Sequence, residues 1–227
     1  MNLKVHYDQL YRDSIQKIQA DAYQVDKLID SEHDTRFGLT LLVRPDKATT
    51  HRVQQVLSKI RAVEPQQYYY RDADLHVTVM SIISCYEGFT LGQIKVEEYV
   101  DTIQKSIQGV GRFDIEFRGL TASPSCLMVQ GFFTHDTLDR IRDNLRANFS
   151  ATNLEQTLDK RYPTQTAHST IFRLKETLAN KEQFLEIVDT YRDFHFGTLT
   201  VDTLELVYND WYQRRERVKV LHRFELR

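Results

Sequence analysis

Two triplets in this chain carry residues able to move protons and to bind an anion. His76-Val77-Thr78 lies in the run Leu75-His76-Val77-Thr78-Val79-Met80-Ser81-Ile82-Ile83. His168-Ser169-Thr170 lies in Ala167-His168-Ser169-Thr170-Ile171-Phe172-Arg173-Leu174. Both runs are apolar and rich in β-branched residues, as a buried strand is. Residues i and i+2 of a strand share a face, so each histidine is expected to point the same way as its threonine. An imidazole can take or give a proton near neutral pH, and a hydroxyl can donate to an oxyanion. Two such pairs across one cleft would suit a phosphodiester without a metal. One of His76 and His168 would act as base toward water and the other as acid toward the leaving oxygen. Thr78 and Thr170 would hold the nonbridging oxygens. The sequence leaves open which histidine takes which role.

The triplet alone is weak evidence. Four matches occur among the eight histidines, because His33-Asp34-Thr35 and His135-Asp136-Thr137 also fit. His33 lies in the polar run Asp30-Ser31-Glu32-His33-Asp34, which reads as a loop. His135 precedes apolar residues at helical spacing, with acidic residues suited to a helix N-terminus. Only His76 and His168 fall in strand-like runs.

The elements that must position them follow a repeated order. Phe37–Val43 reads as a strand, Lys47–Ala62 as a helix with Val53, Val56, Leu57 and Ile60 inward, and Tyr68–Tyr70 as a short extended lead into the first histidine strand. A helix near Val96–Ile107 and a strand near Phe113–Leu120 complete that unit. The order restarts with a strand at Cys126–Phe133, a helix from Asp136 to Phe149, the second histidine strand and a helix at Lys181–Tyr191. Two long strands, Thr198–Tyr208 and Val218–Leu226, close the chain. From Phe37 to His76 is 39 residues, and from Cys126 to His168 is 42. Matched offsets predict an α+β protein of two pseudo-twofold-related lobes. Each lobe would be an antiparallel sheet with flanking helices, and the cleft would lie between them. Residues 1–34 read as a helical extension of one or two amphipathic helices. Residues 35–227 form the bilobed domain, divided near 122/123, with strand exchange between lobes allowed.

Hydrophobic residues make up 41% of the 227 and charged residues 27%, which suits a soluble globular chain. A net charge of −2 disfavours coating of long duplex nucleic acid, which calls for a basic surface. A small nucleotide or an RNA end remains compatible. No apolar run suits a signal peptide or a membrane span. Cys85 and Cys126 read as buried reduced thiols. A cytoplasmic monomer without cofactor is expected. His6, His51, His195 and His222 show no metal-ligand spacing. Tyr208, Trp211, Tyr212, Arg214, Arg215, Arg217 and Lys219 would make an aromatic and basic lip, although a solvated hairpin face is the simpler reading. Tyr69 and Tyr162 precede the histidine strands, where packing is the simpler reading than a place in the cleft.

The paired motifs His76-Val77-Thr78-Val79 and His168-Ser169-Thr170-Ile171, one per lobe, resemble the signature of the two-histidine (2H) phosphoesterase superfamily. The similarity is to its bacterial 2′-5′ RNA ligase/2′,3′-cyclic phosphodiesterase group and covers about Phe37 to Arg227. It implies a metal-independent phosphodiesterase acting on 2′,3′-cyclic or 2′-5′-linked nucleotides or RNA. Arg173 stands where ligase-like members carry a phosphate-binding arginine. Five residues from His168, however, it faces away on a regular strand, and reaches the phosphate only if the strand ends or bulges there. The alternatives are a non-catalytic nucleotide- or RNA-end-binding module of the same fold, and a carbohydrate-active enzyme using the same cleft.

Overall fold

The computed structural model describes residues 2–160 and 163–227. Helix α1 (Leu3–Gln19) is followed by β1 (Arg36–Val43), α2 (Lys47–Val63), the two-residue strand β2 (Tyr68–Tyr69), β3 (Val77–Glu87) and α3 (Val96–Ser106). Then come β4 (Phe113–Ser123), β5 (Cys126–Phe132), α4 (Thr137–Ser150), β6 (Ser169–Arg173), α5 (Lys181–Thr190), β7 (His195–Val201), β8 (Thr203–Asp210) and β9 (Lys219–Glu225). The architecture is α+β.

The strands form two antiparallel sheets, ordered β3-β1-β8-β9 and β2-β6-β5-β4-β7. In the first, β1 and β3 are neighbours joined through α2; in the second, β5 and β6 are neighbours joined through α4. The other side of β1 is taken by β8 and the other side of β5 by β4. Thus β3-β1-β8-β9 matches β6-β5-β4-β7 in order. The exchange is reciprocal: β4 follows the first unit in sequence yet joins the second sheet, and β8 does the converse.

Local chemistry explains the helices between. Asp46 caps α2, its carboxylate accepting from the Thr49 amide at 2.7 Å. The face carrying Val53, Val56, Leu57 and Ile60 is buried, as its periodicity requires. Both sheets and the helices share one continuous core. Cys85 and Cys126 are buried thiols within β3 and β5. Among the described residues no helix is long and apolar enough to cross a membrane.

Two expectations about elements need correction. The run Thr198–Tyr208 is not one strand: it breaks at Asp202, with β7 paired to β4 and β8 paired to β1. The Asp202 carbonyl accepts the Leu226 amide at 2.7 Å, so the corner is held by the chain's last residues. At the N-terminus the described residues form one helix of the one or two expected, and it ends short of the stretch read as helical. Asp21 lies at φ 54°, and beyond it the amides of Gln24 and Asp26 donate to Pro124 and Leu174 instead of to a helical carbonyl. α1 buries Tyr7, Ser14 and Ile18 against β4, while Ala22 and Leu28 lie past its end and are exposed.

Candidate active site

The two histidines occupy one structural position each: the residue immediately before β3 and the residue immediately before β6. His76 and Thr78 are partly exposed while Val77 and Val79 are buried; His168 and Thr170 are partly exposed while Ser169 and Ile171 are buried. All four polar side chains line a single cleft enclosing about 170 Å³. His33 and His135 lie outside any strand and are exposed.

Each strand then departs from regular alternation at the same place. β1 pairs Leu41 with Met80 but the next residue, Leu42, with Thr78, which leaves Val79 as an extra residue. β5 pairs Leu127 with Phe172 but Met128 with Thr170, which leaves Ile171 as an extra residue. A bulge of this kind reverses the faces of everything beyond it. Val79 and Met80 are both buried, as are Ile171 and Phe172, so Ser81 and Arg173 return to the cleft. The displaced Ile171 carbonyl accepts the Tyr70 amide at 3.0 Å.

Arg173 is fixed as well as aimed. Its Nε donates to the buried Tyr70 hydroxyl at 2.9 Å, and its guanidinium carbon lies 5.6 Å from the centre of the Tyr212 ring. A guanidinium stays charged in a protein and presents a planar fork to an anion.

The imidazoles are anchored in different ways. His76 Nδ1 lies 2.8 Å from the Asp74 carbonyl oxygen. A carbonyl only accepts, so Nδ1 carries the hydrogen, and in the neutral ring Nε2 is the bare acceptor. His168 Nδ1 lies 2.7 Å from Thr166 Oγ1, a hydroxyl that can donate or accept. When it donates, His168 carries its hydrogen on Nε2. Burial pushes both imidazoles down to about 4. For His76 the Asp74 carbonyl opposes the shift, while Arg44, His168 and Arg173 deepen it. For His168 the added cause is Arg142, then Arg173 and His6. Both rings are therefore neutral at pH 7 before an anion enters.

One arginine ties the first histidine strand to the segment that leads into the second. Arg142 of α4 is 1% exposed. Its Nε donates to the Val79 carbonyl at 3.0 Å, and its Nη2 donates to the carbonyls of Thr78 at 3.3 Å and Thr166 at 2.7 Å. Burial pulls it down to about 10, which leaves it protonated at neutral pH.

Sequence reasoning put His76, Thr78, His168 and Thr170 in a common cleft, allowed Arg173 there only if its strand ends or bulges, and missed several of their companions; all five line this cleft. Trp211 lines it and Tyr212 is fully buried, so the turn after β8 is not simply a solvated face; Arg215 and Lys219 are exposed. Tyr69 is a packing residue, its hydroxyl donating to the Glu64 carbonyl at 2.7 Å. Tyr162 lies outside the described residues. Ser81 and Arg142 gave no separable signal, one being a serine in a strand and the other an arginine in an amphipathic helix. Among the described residues, no group of three or more His, Cys, Asp or Glu is placed to hold a metal ion.

Two exchanged antiparallel sheets with a histidine entering the cleft from each define a two-histidine phosphoesterase, a fold associated with phosphodiesterase-type chemistry. The chain belongs to the family described as the AKAP7 2′5′ RNA ligase-like domain, whose model matches residues 39–213. No curated protein matches it in sequence. Among solved structures, TT0787 of Thermus thermophilus is similar with TM-score 0.61 at 16% identity, over 84% of this chain and 98% of that one. E. coli LigT complexed with 3′-AMP is similar with TM-score 0.53 at 13% identity, again over 84% and 98%. At such identities these likenesses speak to the fold.

Proposed function

We propose that the protein hydrolyses 2′,3′-cyclic or 2′-5′-linked phosphodiesters of nucleotides or RNA ends, with His76 as general base and His168 as general acid. The observation that carries this reading is the pair of imidazoles, each fixed through Nδ1 and entering one cleft from matched bulged strands. His76, with its hydrogen committed to the Asp74 carbonyl, offers a bare Nε2 to an attacking water. The phosphodiester anion offsets the cationic field of Arg44, Arg142 and Arg173, which favours protonation of His168. His168 then delivers its Nε2 proton to the departing ribose oxygen as the P–O bond breaks and the water's O–P bond forms. Thr78, Thr170 and Arg173 hold the nonbridging oxygens, whose charge grows in the transition state. That E. coli LigT has been crystallised with 3′-AMP supports a nucleotide as occupant here.

A second reading, a nucleotide-binding module without turnover, is favoured by the neutrality of both rings, whose burial holds them at about 4. One assay separates the two. The His76→Ala and His168→Ala variants are each expected to lose roughly 10²–10⁴ in the rate of cyclic-phosphate opening. Near-normal turnover in either would rule out acid–base catalysis by the pair. Tight binding without product in the wild type would establish the module instead.

A further inference from the structure

At the end of the cleft formed by β1, β3 and β8, Asn209 near the end of β8 and Trp211 and Gln213 in the tight turn after it all line the cavity. Gln213 sits at φ 59°, a left-handed conformation that costs a residue with a Cβ and suits glycine. It is 4% exposed, and its Oε1 has no hydrogen-bond partner among the described residues. Asn209 is 2% exposed and its Oδ1 is likewise unpartnered, although its Nδ2 donates to the Asp210 carbonyl at 2.9 Å. An acceptor buried without a donor is costly to the fold unless a ligand supplies one. Here two such acceptors border one cavity, and one stands on strained backbone.

The surroundings hold this turn rigid. The Arg214 amide donates to Asp210 Oδ1 at 2.9 Å and the Gln213 amide donates to the Asp210 carbonyl at 3.2 Å. Tyr212 is fully buried, its hydroxyl donating to Asp26 at 3.0 Å, with the Arg214 guanidinium 4.6 Å from its ring centre. Strain kept in place by so many contacts clusters at ligand clamps and active sites. The cleft already supplies cations and hydroxyls for a phosphate, so the acceptors await the other end of the molecule.

We propose that Gln213 and Asn209 form the base-reading end of the site, taking the exocyclic amino group of an adenine, cytosine or guanine nucleotide between their carboxamide oxygens, beside the wall made by Trp211. An amino group has two hydrogens for two acceptors, whereas uracil presents one ring N–H between two carbonyls that would repel them. This inference rests on the nucleotide phosphodiesterase reading and adds its base preference.

The test is calorimetric titration of the full chain with inorganic phosphate and with the 3′-monophosphates of adenosine, cytidine, guanosine and uridine. The wild type is expected to bind the three amino-bearing nucleotides roughly tenfold or more tighter than the uridine nucleotide. In Gln213→Gly, which relieves the left-handed strain, that preference should collapse while Tm does not fall. A parallel Gln213→Leu variant controls for added flexibility and should lose the preference too. Equal affinity for all four nucleotides in the wild type, with phosphate still bound, would overturn this inference alone. A preference that survives in both variants would do the same. Failure of phosphate and every nucleotide to bind would sink the phosphodiesterase reading and this one with it.

Discussion

Val79 and Ile171 are counterparts: each is the extra residue of a bulge three positions beyond a histidine, in strands that belong to different sheets. The consequence is chemical, because the bulge at Ile171 is what turns Arg173 into the cleft. If Arg173 binds the nonbridging oxygens through its planar fork, lysine is a poor substitute. Arg173→Ala is expected to weaken substrate binding roughly 10–100-fold, the worth of a lost charged hydrogen bond. Arg173→Lys should recover only part of that. Steady-state kinetics and phosphate titration check both; full recovery by lysine would mean that charge alone matters.

The pH dependence follows from the histidines. A general acid that burial holds at about 4 is almost wholly deprotonated at pH 7. For the free enzyme kcat/KM should therefore rise as pH falls from 8 toward 5. A bound phosphodiester anion raises the imidazole, so the alkaline fall of kcat should lie at higher pH than that of kcat/KM. Nucleotide binding at pH 7 should also take up protons, visible in titrations run in buffers of different ionisation heat. A kcat/KM profile flat from pH 6 to 8 would contradict the assignment.

The same two groups affect stability. Their folded values lie below the unfolded value of about 6.5, so the unfolded chain binds more protons between pH 6.5 and 4. Their contribution is present above pH 6.5 and is lost as pH falls through about 4. The double variant His76→Ala, His168→Ala should lose less Tm between pH 7 and 4 than the wild type does.

Much of this was legible in the residues, and the remainder was hidden for definable reasons. Alternation of polar and apolar residues identified His76, Thr78, His168 and Thr170 as sharing a cleft. The element order announced a duplicated α+β fold. What alternation cannot announce is its own interruption: nothing in Thr170-Ile171-Phe172-Arg173 marks Ile171 as bulged, because the shift is made by its register against Leu127 and Met128. The break at Asp202 was hidden likewise, since β7 and β8 are both rich in strand-forming residues and part only because each has a different partner. Gln213 was invisible because its significance lies in a backbone angle.

Close approach of backbones is a further hidden constraint. A Cβ at Gly131 of β5 would meet the Ala167 carbonyl oxygen at 2.0 Å and its carbon at 2.9 Å. Ala167 immediately precedes His168, so the added methyl must push that segment away. Gly131→Ala is expected to lower kcat by tenfold or more, an imposed misplacement of a catalytic group being roughly that costly or worse. KM for the phosphate end should change less, since Arg173 lies beyond the bulge. Unaltered kcat in a stably folded variant would show that the His168 segment yields without losing its alignment.

Arg142 is the strictest test of whether the two strands must be held together. It donates to the main-chain carbonyls of Thr78 and Val79 on one side and of Thr166 on the other. Replacing it by methionine keeps the aliphatic bulk and leaves three carbonyls short of a donor inside the protein. The expected cost is about 3 kcal/mol of stability, read as a lower denaturant midpoint. Lysine reaches with a single ammonium and cannot reproduce a fork that spans two segments, so Arg142→Lys should rescue poorly. If Arg142 acts by fixing the separation of His76 and His168, both variants should lose kcat at temperatures where they remain folded, while KM moves little. A loss of stability with kcat intact would make it a packing residue and leave the alignment of the histidines to their strands alone.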